Sequence, residues 1–228
     1  WIRSQDLVEV TMRYKVIAPV GDNLKALFVG IKEFPTDKVY LITPSERIRD
    51  AQKLRDKLEE FTIKSEIVEV TGNLLEEMFS NFGRITGNHD PDEVIVNVAT
   101  GDRMSTCAAL SASFANGLKA FGVAGDEVML MPIMKLSYYN ELSDNKLKIL
   151  KELKIDDYIS LKDLSKKVSM SISLLSYHIN GNYKYKGLKE FRLVEVKDQK
   201  NQLLIKLSEM GNLILKGYVK VGKEGRGE

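Results

Sequence analysis

Short apolar runs alternate with longer segments of helical periodicity through roughly the first 135 residues. The apolar runs are nearly continuous, which is typical of strands buried on both faces of a parallel sheet. These runs are Lys15–Val20, Lys38–Thr43, Ser65–Val70, Glu93–Val98, Ala120–Gly125 and Glu127–Pro132. Helical periodicity fills the intervening segments 24–34, 46–61, 73–86 and 104–120. Strands separated by helices predict right-handed crossovers and a doubly wound, Rossmann-like α/β domain with a mostly parallel sheet, which we assign to residues 1–135.

The pattern changes after Pro132. Residues 136–145 read as a linker, and three helical segments follow at 145–154, 160–170 and 171–191. Two short strands then flank a polar turn at Asp198–Gln202, and an amphipathic segment follows at 208–220. Three helices, a hairpin and a last helix are in the order of a winged helix-turn-helix, which we assign to residues 146–228.

The third helical segment of this region has the properties of a recognition helix. Ile172, Leu175 and Ile179 recur at helical spacing and predict one buried stripe, while Ser171 is placed to cap the helix. The opposite face carries short or flat polar side chains that suit phosphates and base edges. Those predicted DNA-contacting residues are Ser173, Ser176, Tyr177 and Asn180, with His178 a candidate for a phosphate contact or for a hydrogen-bonded position at the helix edge.

Charge divides the chain in the same place. The formal net charge is +2, but residues 146–228 hold 18 Lys and Arg against 10 Asp and Glu, whereas residues 1–145 are net −6. This asymmetry indicates a DNA-binding C-terminal region, the alternative being a lysine-rich solvated surface. We expect backbone contacts from basic residues after the recognition helix and at the hairpin. They are Lys184, Lys186, Arg192, Lys197 and Lys200. Ser171, the cap of the recognition helix, is also a candidate for a DNA contact.

The C-terminal region resembles the MarR- and ArsR-like winged helices. The segment SISLLSYHI is similar in character to their recognition helix, and KEFRLVEVKDQKNQLLIKLSEMG is similar to their wing and the helix after it. The stretch NGNYKYKG between the two is longer than the family usually has. The resemblance implies binding to double-stranded DNA.

Three loops lie where the predicted parallel strands end, which is where α/β sheets bind ligands. The clearest is the strand-turn-helix junction VNVATGDRM, whose backbone N–H groups and helix N-terminus suit an anion. The alternative is a tight turn with a close-packed helix behind it. The candidate ligand-binding residues in the three loops are Pro19, Val20, Gly21, Asp22 and Asn23; Thr43, Pro44 and Ser45; and Asn97, Ala99, Thr100, Gly101, Asp102, Arg103 and Met104.

The third loop resembles the motif of the CARF domain, the CRISPR-associated Rossmann fold. Asn97, Thr100, Gly101 and Met104 correspond in character, Arg103 stands for the family's lysine, and Asp102 departs from it. The resemblance implies a homodimer that senses a cyclic oligoadenylate across its two-fold axis, with no other cofactor. Joined to a winged helix, it implies a ligand-responsive transcriptional regulator. A DNA-binding dimer without a ligand remains the alternative.

Enzymatic functions are not favoured. One cysteine, Cys107, and two histidines leave no cysteine-based metal site, and Cys107 is expected to be a small buried residue. No Gly-Lys-Ser/Thr follows the third loop, so it is not a P-loop. The spacing of Arg84 and His89 matches the Arg-x4-His pattern of HEPN ribonucleases, but it falls in an α/β segment. We expect a protein that is not an enzyme, with ring-nuclease or ribonuclease activity as the alternative.

The sequence contains no apolar run long enough to span a membrane. Residues 1–11 lack the basic and then apolar layout of a signal peptide, and Met12 would be a natural start. We therefore expect a cytoplasmic protein.

Overall fold

The computed structural model describes residues 12–131, 141–199 and 202–217. These residues form two compact units, one of residues up to 74, 88–113 and 118–133, and the other of residues 75–87, 114–117 and those from 134 onward. The predicted domain limits 1–135, 136–145 and 146–228 stay predictions, and most of the predicted linker lies outside the described residues.

The first unit is built on a six-stranded sheet in the order β3-β2-β1-β4-β5-β6. Strands β1 to β5 are parallel and β6 runs antiparallel to β5, so the prediction of a mostly parallel Rossmann-like sheet is confirmed. The strands are β1 Tyr14–Pro19, β2 Thr36–Pro44, β3 Lys64–Val70, β4 Val94–Asn97, β5 Lys119–Ala124 and β6 Glu127–Leu130. The connecting helices are α1 Lys25–Glu33, α2 Ile48–Glu60, α3 Leu74–Thr86 and α4 Arg103–Asn116.

The central strands are buried because their residues are apolar on both sides. All four residues of β4 are buried, as is the run Val39–Thr43 of β2. Leu27 of α1 and Leu58 of α2 are fully buried against this sheet in one core cluster with Phe121 of β5. Burial of such side chains contributes about 1.5–3 kcal/mol each, so the sheet is a rigid base for the loops at its edge.

The strand order reverses between β1 and β4, because the chain moves outward from β1 through β2 to β3 and returns beside β1 at β4. Loops that leave two neighbouring strands in opposite directions open a crevice between them at the carboxyl edge. In this sheet the reversal lies between β1 and β4, and the loops that follow these strands carry two of the three predicted ligand segments.

The second unit contains a winged helix-turn-helix. Three helices precede the β8-β9 hairpin, which forms a small sheet in the order β7-β9-β8 with a short strand from between the first two helices, and a last helix follows. Its elements are α5 Asp144–Glu152, β7 Ile159–Ser160, α6 Leu161–Val168, α7 Ile172–Asn180, β8 Val194–Gln199, β9 Gln202–Leu207 and α8 Glu209–Gly217. Helices α6 and α7 are joined by a tight turn in which Ser169 takes a left-handed conformation with φ 53°.

Two expectations for the third helix are wrong. The helix does not continue to residue 191 but ends at Asn180, because Gly181 takes φ 74° and the chain turns back. The buried stripe is also shorter than predicted: Leu175 and Ile179 are fully buried, whereas Ile172 is 49% exposed. Ile172 is the first residue of the helix, where the domain no longer covers the side chain.

Helix α3 groups with the second unit although its sequence lies between β3 and β4. Within that unit it packs on α8: Asn212 Nδ2 donates to Glu76 Oε1 at 2.9 Å, and Lys216 Nζ lies 3.3 Å from Glu76 Oε2. A Cβ on Gly83 would overlap the carbonyl oxygen of Gly217. The two helices therefore cross closely at a pair of glycines, and the Glu76 contacts fix their register.

Candidate functional site

The loops after β1 and β4 touch one another at the carboxyl edge of the sheet. A Cβ on Gly21 would overlap the backbone of Gly101 and the amide nitrogen of Asp102. The Asn23 N–H donates to the Thr100 carbonyl oxygen at 3.4 Å. The absence of a side chain at Gly21 is therefore what lets these two loops approach.

The loop after β2 joins them through Arg47, which sequence reasoning missed. The Arg47 guanidinium donates from Nη1 to the Gly21 carbonyl oxygen at 3.1 Å and from Nη2 to Asp22 Oδ1 at 2.6 Å. Arg47 ends the short 3-10 helix Ser45–Arg47, so the predicted Ser45 loop does reach the same place. From sequence, Arg47 is one cation among many in a charged helical segment, and nothing in its spacing marks the contact.

Several predicted ligand contacts are structural side chains. Asn97 is fully buried; its Nδ2 donates to the Ala26 carbonyl oxygen and its Oδ1 accepts from the Ala99 N–H. Thr100 is 1% exposed and its hydroxyl donates to the Asn97 carbonyl oxygen at 3.3 Å, which contradicts the expectation that this hydroxyl faces a ligand. The side chains of Val20 and Thr43 are also fully buried, and Pro19 is buried with them.

Asp102 caps the helix whose N-terminus was predicted to hold an anion. Its Oδ1 accepts from the Ser105 N–H at 2.8 Å, and its carbonyl oxygen accepts from the Thr106 N–H at 2.9 Å. One amide in the first turn of this helix, that of Ser105, is therefore already satisfied by a carboxylate. The N–H groups of Arg103 and Met104 lie in the first turn, where a helix provides no acceptor for them.

The exposed part of the candidate ligand site is smaller than the predicted set. Its half-buried members are Pro44, Ala99, Gly101 and Asp102, and its exposed members are Asp22, Asn23, Ser45, Arg103 and Met104. Met104 is 67% exposed on the first turn of α4. Cys107, one turn further along, is exposed, so the expectation of a buried cysteine is wrong.

The exposed face of α7 carries the predicted polar set. Ser171 caps the helix by accepting from the Leu174 N–H at 3.2 Å. Ser173, Tyr177 and Asn180 are exposed, Ser176 is half-buried, and the Asn180 Nδ2 donates to Ser176 Oγ at 3.1 Å. These side chains form a continuous polar face that is open to solvent within this unit.

His178 lies inside the domain instead of on this face. It is 8% exposed, and neither ring nitrogen has a hydrogen-bond partner among the described residues, so neither predicted role matches its position. Burial, and then the nearby Lys146 charge, lower the pKa of His178. The ring is therefore an uncharged packing group that contacts the ring of Tyr177.

The predicted basic residues follow α7 in the order of the chain. Lys184, Lys186, Arg192 and Lys197 are exposed, whereas Lys200 lies outside the described residues. Lys186 Nζ lies 3.6 Å from Glu190 Oε1, and Lys197 Nζ lies 3.8 Å from the centre of the Tyr158 ring. Arg192 takes φ 57° in the turn before β8. The side chains of Lys186 and Lys197 are thus each held by a neighbouring residue of the same unit.

His89, one half of the spacing considered for a ribonuclease, has a partner within the first unit. Its Nε2 and the Tyr40 hydroxyl are 2.7 Å apart. Burial, and then the charges of Lys15 and Lys38, lower the pKa of His89. Among the described residues, no group of three or more His, Cys, Asp and Glu side chains is arranged to hold a metal ion. The helices in the same part of the chain include none with the length and apolar content to span a bilayer.

Two family models match the chain, one in each predicted domain. Residues 16–128 match the HFX_2341_N-like N-terminal family, and residues 142–180 match the winged helix-turn-helix DNA-binding family. No curated protein shows significant sequence similarity to this chain.

Solved structures with a similar fold share little sequence with this chain. Can2 from Sulfobacillus thermosulfidooxidans, solved in complex with cyclic tetra-adenylate, is 12% identical with a TM-score of 0.45 over 90% of this chain and 62% of its own. Protein VC1899 from Vibrio cholerae is 12% identical with a TM-score of 0.46 over 89% and 64%. A type III CRISPR defence DNA nuclease activated by cyclic oligoadenylate is 13% identical with a TM-score of 0.44 over 81% and 36%.

This chain thus spans less than two thirds of each of these three structures. The order of the two family matches agrees with the predicted regulator organisation. The chain thus combines an N-terminal domain that is similar to the HFX_2341_N-like family with a C-terminal winged helix-turn-helix.

Proposed function

We propose that this chain is a ligand-responsive transcriptional regulator. The observation that carries the proposal is the meeting of three loops at the point where the strand order reverses, made by Gly21 against Asp102 and by Arg47 on the Gly21 carbonyl. A ligand at this edge touches all three loops at once, so its binding changes their relative position. The ligand class follows from the resemblance of the third loop to the CARF motif, and we infer a cyclic oligoadenylate.

The exposed side chains of the site suit such a ligand. Arg103 presents a guanidinium beside the first-turn amides of α4, which together favour a phosphate. Met104 gives an exposed apolar side chain next to them, on which a base can pack. Asp102 and Asp22 add negative charge, and Arg47 neutralises the latter at 2.6 Å.

We infer that the protein acts as a homodimer. A cyclic oligoadenylate has rotational symmetry, so one ring fills two equivalent sites related by a two-fold axis. Two winged helices in a dimer also read two half-sites on DNA. The effector then acts by preferring one arrangement of the two halves, and it shifts regulation only as far as its affinity differs between arrangements.

Titration calorimetry with cyclic tetra-adenylate and cyclic hexa-adenylate tests the ligand. We expect micromolar or tighter binding of one ring size, lost in Arg103→Ala and retained in the matched variant Arg49→Ala, an exposed arginine on α2. Absence of binding with both rings would remove the ligand assignment and leave a DNA-binding dimer without an effector.

Binding to duplex DNA tests the other half. The probe is a duplex that the wild-type chain selects from a randomised pool. The double variant Tyr177→Ala, Asn180→Ala should bind this duplex more weakly relative to a scrambled duplex, by about 1–3 kcal/mol for each lost base contact. Equal loss on both duplexes would contradict base readout by α7. Incubation with labelled cyclic oligoadenylate and with RNA separates the regulator from an enzyme, because a regulator leaves both intact.

A further inference from the structure

The recognition helix is followed by a tight, protruding turn, Gly181–Gly187, that exposes two tyrosines and two lysines. Tyr183 is fully exposed, at 102%, and Tyr185 is 54% exposed. Lys184 and Lys186 are exposed between and after them. Large aromatic side chains that are left this open next to cations mark a surface that binds something.

The turn is held in one conformation by its own backbone. Asn182 Oδ1 accepts from the N–H groups of Lys184 at 2.9 Å and Tyr185 at 2.7 Å, and the Asn182 N–H donates to the Tyr185 carbonyl oxygen at 2.9 Å. Gly181 pairs with Lys186 in an antiparallel bridge. The tyrosines therefore stand on a fixed support, and binding through them costs little loop entropy.

Two glycines make this geometry possible. A Cβ on Gly187 would overlap the Gly181 amide nitrogen, and Gly181 itself takes φ 74°, so no ordinary side chain fits where the two strands of the turn meet. The chain leaving the turn is bonded back to α7, with the Leu188 N–H donating to the His178 carbonyl oxygen and the Lys189 N–H to that of Ile179, both at 2.9 Å. The turn is thus fixed to the C-terminal end of the recognition helix.

The charge of the turn is positive. Lys184 Nζ lies 5.4 Å from the centre of the Tyr185 ring, which orients the ammonium beside an aromatic face. Lys186 contacts Glu190, but its carbonyl oxygen accepts from Lys146 Nζ at 2.7 Å, which brings a third ammonium to the base of the turn. Phosphate oxygens accept from tyrosine hydroxyls as well as from ammonium groups, and the turn is bonded directly to the end of the proposed recognition helix, so a nucleic-acid backbone is the partner that its composition and position favour.

We propose that the Gly181–Gly187 turn is a second DNA-contacting element, in which Tyr183 and Tyr185 grip the sugar-phosphate backbone beside the groove that α7 enters. This proposal rests on the proposed DNA binding by α7. A backbone contact from neutral side chains adds affinity that does not depend on base sequence and that adds nothing to the salt dependence, whereas Lys184 adds both affinity and salt dependence.

Fluorescence anisotropy with two duplexes tests it, each about 30 base pairs long to hold two half-sites one helical turn apart. One duplex is selected by the wild-type chain from a randomised pool, and the other is a scrambled sequence of the same composition. We expect the double variant Tyr183→Ala, Tyr185→Ala to bind both duplexes at least about a hundredfold more weakly, because each tyrosine supplies a hydrogen bond to a charged group that is worth roughly tenfold or more. The ratio between duplexes and the salt slope should stay as in the wild-type chain.

Two further variants separate contact from support. Lys184→Ala should lower the slope of log affinity against log salt by about one for each protomer, while Lys57→Ala, an exposed lysine on α2, should leave it unchanged. Asn182→Ala keeps both tyrosines but removes the two hydrogen bonds that Asn182 Oδ1 accepts within the turn. We expect it to weaken binding to both duplexes as well. Phe61→Ala is the matched control for the tyrosine double variant, because it removes an aromatic ring that is 64% exposed in the other unit.

The outcomes distinguish this proposal from the one on which it rests. If the tyrosine double variant binds both duplexes like the wild-type chain while Asn180→Ala weakens the selected one, the turn does not contact DNA and α7 does. If the wild-type chain binds neither duplex, DNA binding itself is wrong. A change in oligomeric state of the tyrosine double variant without DNA would overturn the proposal in favour of contact with a second copy of the chain.

Discussion

The Arg47 guanidinium lies 2.6 Å from Asp22 and also donates to the Gly21 carbonyl, so one side chain from the end of β2 holds the loop that follows β1. That loop in turn lies against the loop after β4 at Gly21 and Asp102. Three segments that are distant in sequence are therefore joined at two places, through the contacts of Arg47 with the β1 loop and through the packing of that loop on the β4 loop. A change at either contact alters the whole edge of the sheet.

Arg47→Ala should weaken binding of the proposed effector far more than it weakens the fold. The pair is partly exposed, and such pairs contribute at most about 1 kcal/mol to stability, but the β1 loop loses the group that positions it. We expect effector affinity to fall about tenfold, the equivalent of 1.4 kcal/mol, in calorimetric titration, with the thermal midpoint nearly unchanged. Arg49→Ala, two residues further along the chain, is the control. An equal loss of effector affinity in Arg49→Ala would show that the affinity depends on net charge and not on the position of the guanidinium.

Asp102 supports the fold and opposes an anion at the same time. Asp102→Ala removes the cap of α4 and should cost about 1 kcal/mol in the free energy of unfolding, measured by denaturant titration. Asp102→Asn keeps a side-chain acceptor for the Ser105 N–H but removes the charge, so stability should be retained and affinity for a phosphate-bearing effector should rise several-fold. Weaker binding by Asp102→Asn would place the carboxylate in contact with the effector.

Thr100 is expected to matter for stability and not for ligand contact. Its hydroxyl is buried and donates to the Asn97 carbonyl oxygen. Thr100→Val should therefore cost about 1 kcal/mol in unfolding free energy, while Thr100→Ser keeps the donor. In calorimetry, Thr100→Val should bind the effector like the wild-type chain; a loss of binding in Thr100→Val that Thr100→Ser does not show would restore the direct contact that the sequence predicted.

Even a methyl group added to α3 at its crossing with α8 should lower the stability of the protein. Gly83→Ala places a Cβ on the Gly217 carbonyl, which cannot move without shifting α8. We expect a loss of about 1–3 kcal/mol, as in other overpacked sites, measured by thermal or denaturant unfolding. Glu77→Ala on the same helix is the control, and a gain in stability from Gly83→Ala would contradict the close crossing.

His178 predicts a loss of stability in weak acid. Its pKa is lowered in the folded chain by burial and by Lys146, so on acidification the unfolded chain takes up a proton at about pH 6.5 before the folded chain does. Stability is therefore unaffected above that pH and falls as the pH drops below it, until the folded pKa is reached. His178→Leu should flatten this fall in pH-dependent unfolding. His89 is present in both chains, so its own lowered pKa cancels in the comparison.

The elements that depend on local pattern could be read from the sequence. The continuous apolar strands, the Ser171 cap and the helix-hairpin-helix order are all fixed by residues a few positions apart. Arg47 could not be found in this way, because its partners are 25 and 26 positions away and chosen by the fold. The end of α7 was missed since the residues after Gly181 keep an apolar period while φ at that glycine breaks the helix.

The sequence places the candidate site at the carboxyl edge of the sheet, but it does not show which side chains are exposed there. Motif similarity placed Asn97 and Thr100 on the ligand, and both side chains instead hold the turn from within. Which side of a loop a short polar side chain faces depends on the neighbouring helix, here α1 through the Ala26 carbonyl, and that neighbour is not visible in the local sequence.

The grouping of α3 with α8 decides how far the two halves of this chain are interchangeable. A fragment cut near residue 135 would carry the winged helix-turn-helix without the helix that covers Gly217, and an N-terminal domain grafted from a relative would bring a foreign helix to the same crossing. An exchange of domains with a relative at residue 135 would therefore fail unless α3 is transferred together with the winged helix-turn-helix. For engineering, this protein is therefore best treated as one whole chain, since α3 links the sequence of its N-terminal part to the packing of its C-terminal part.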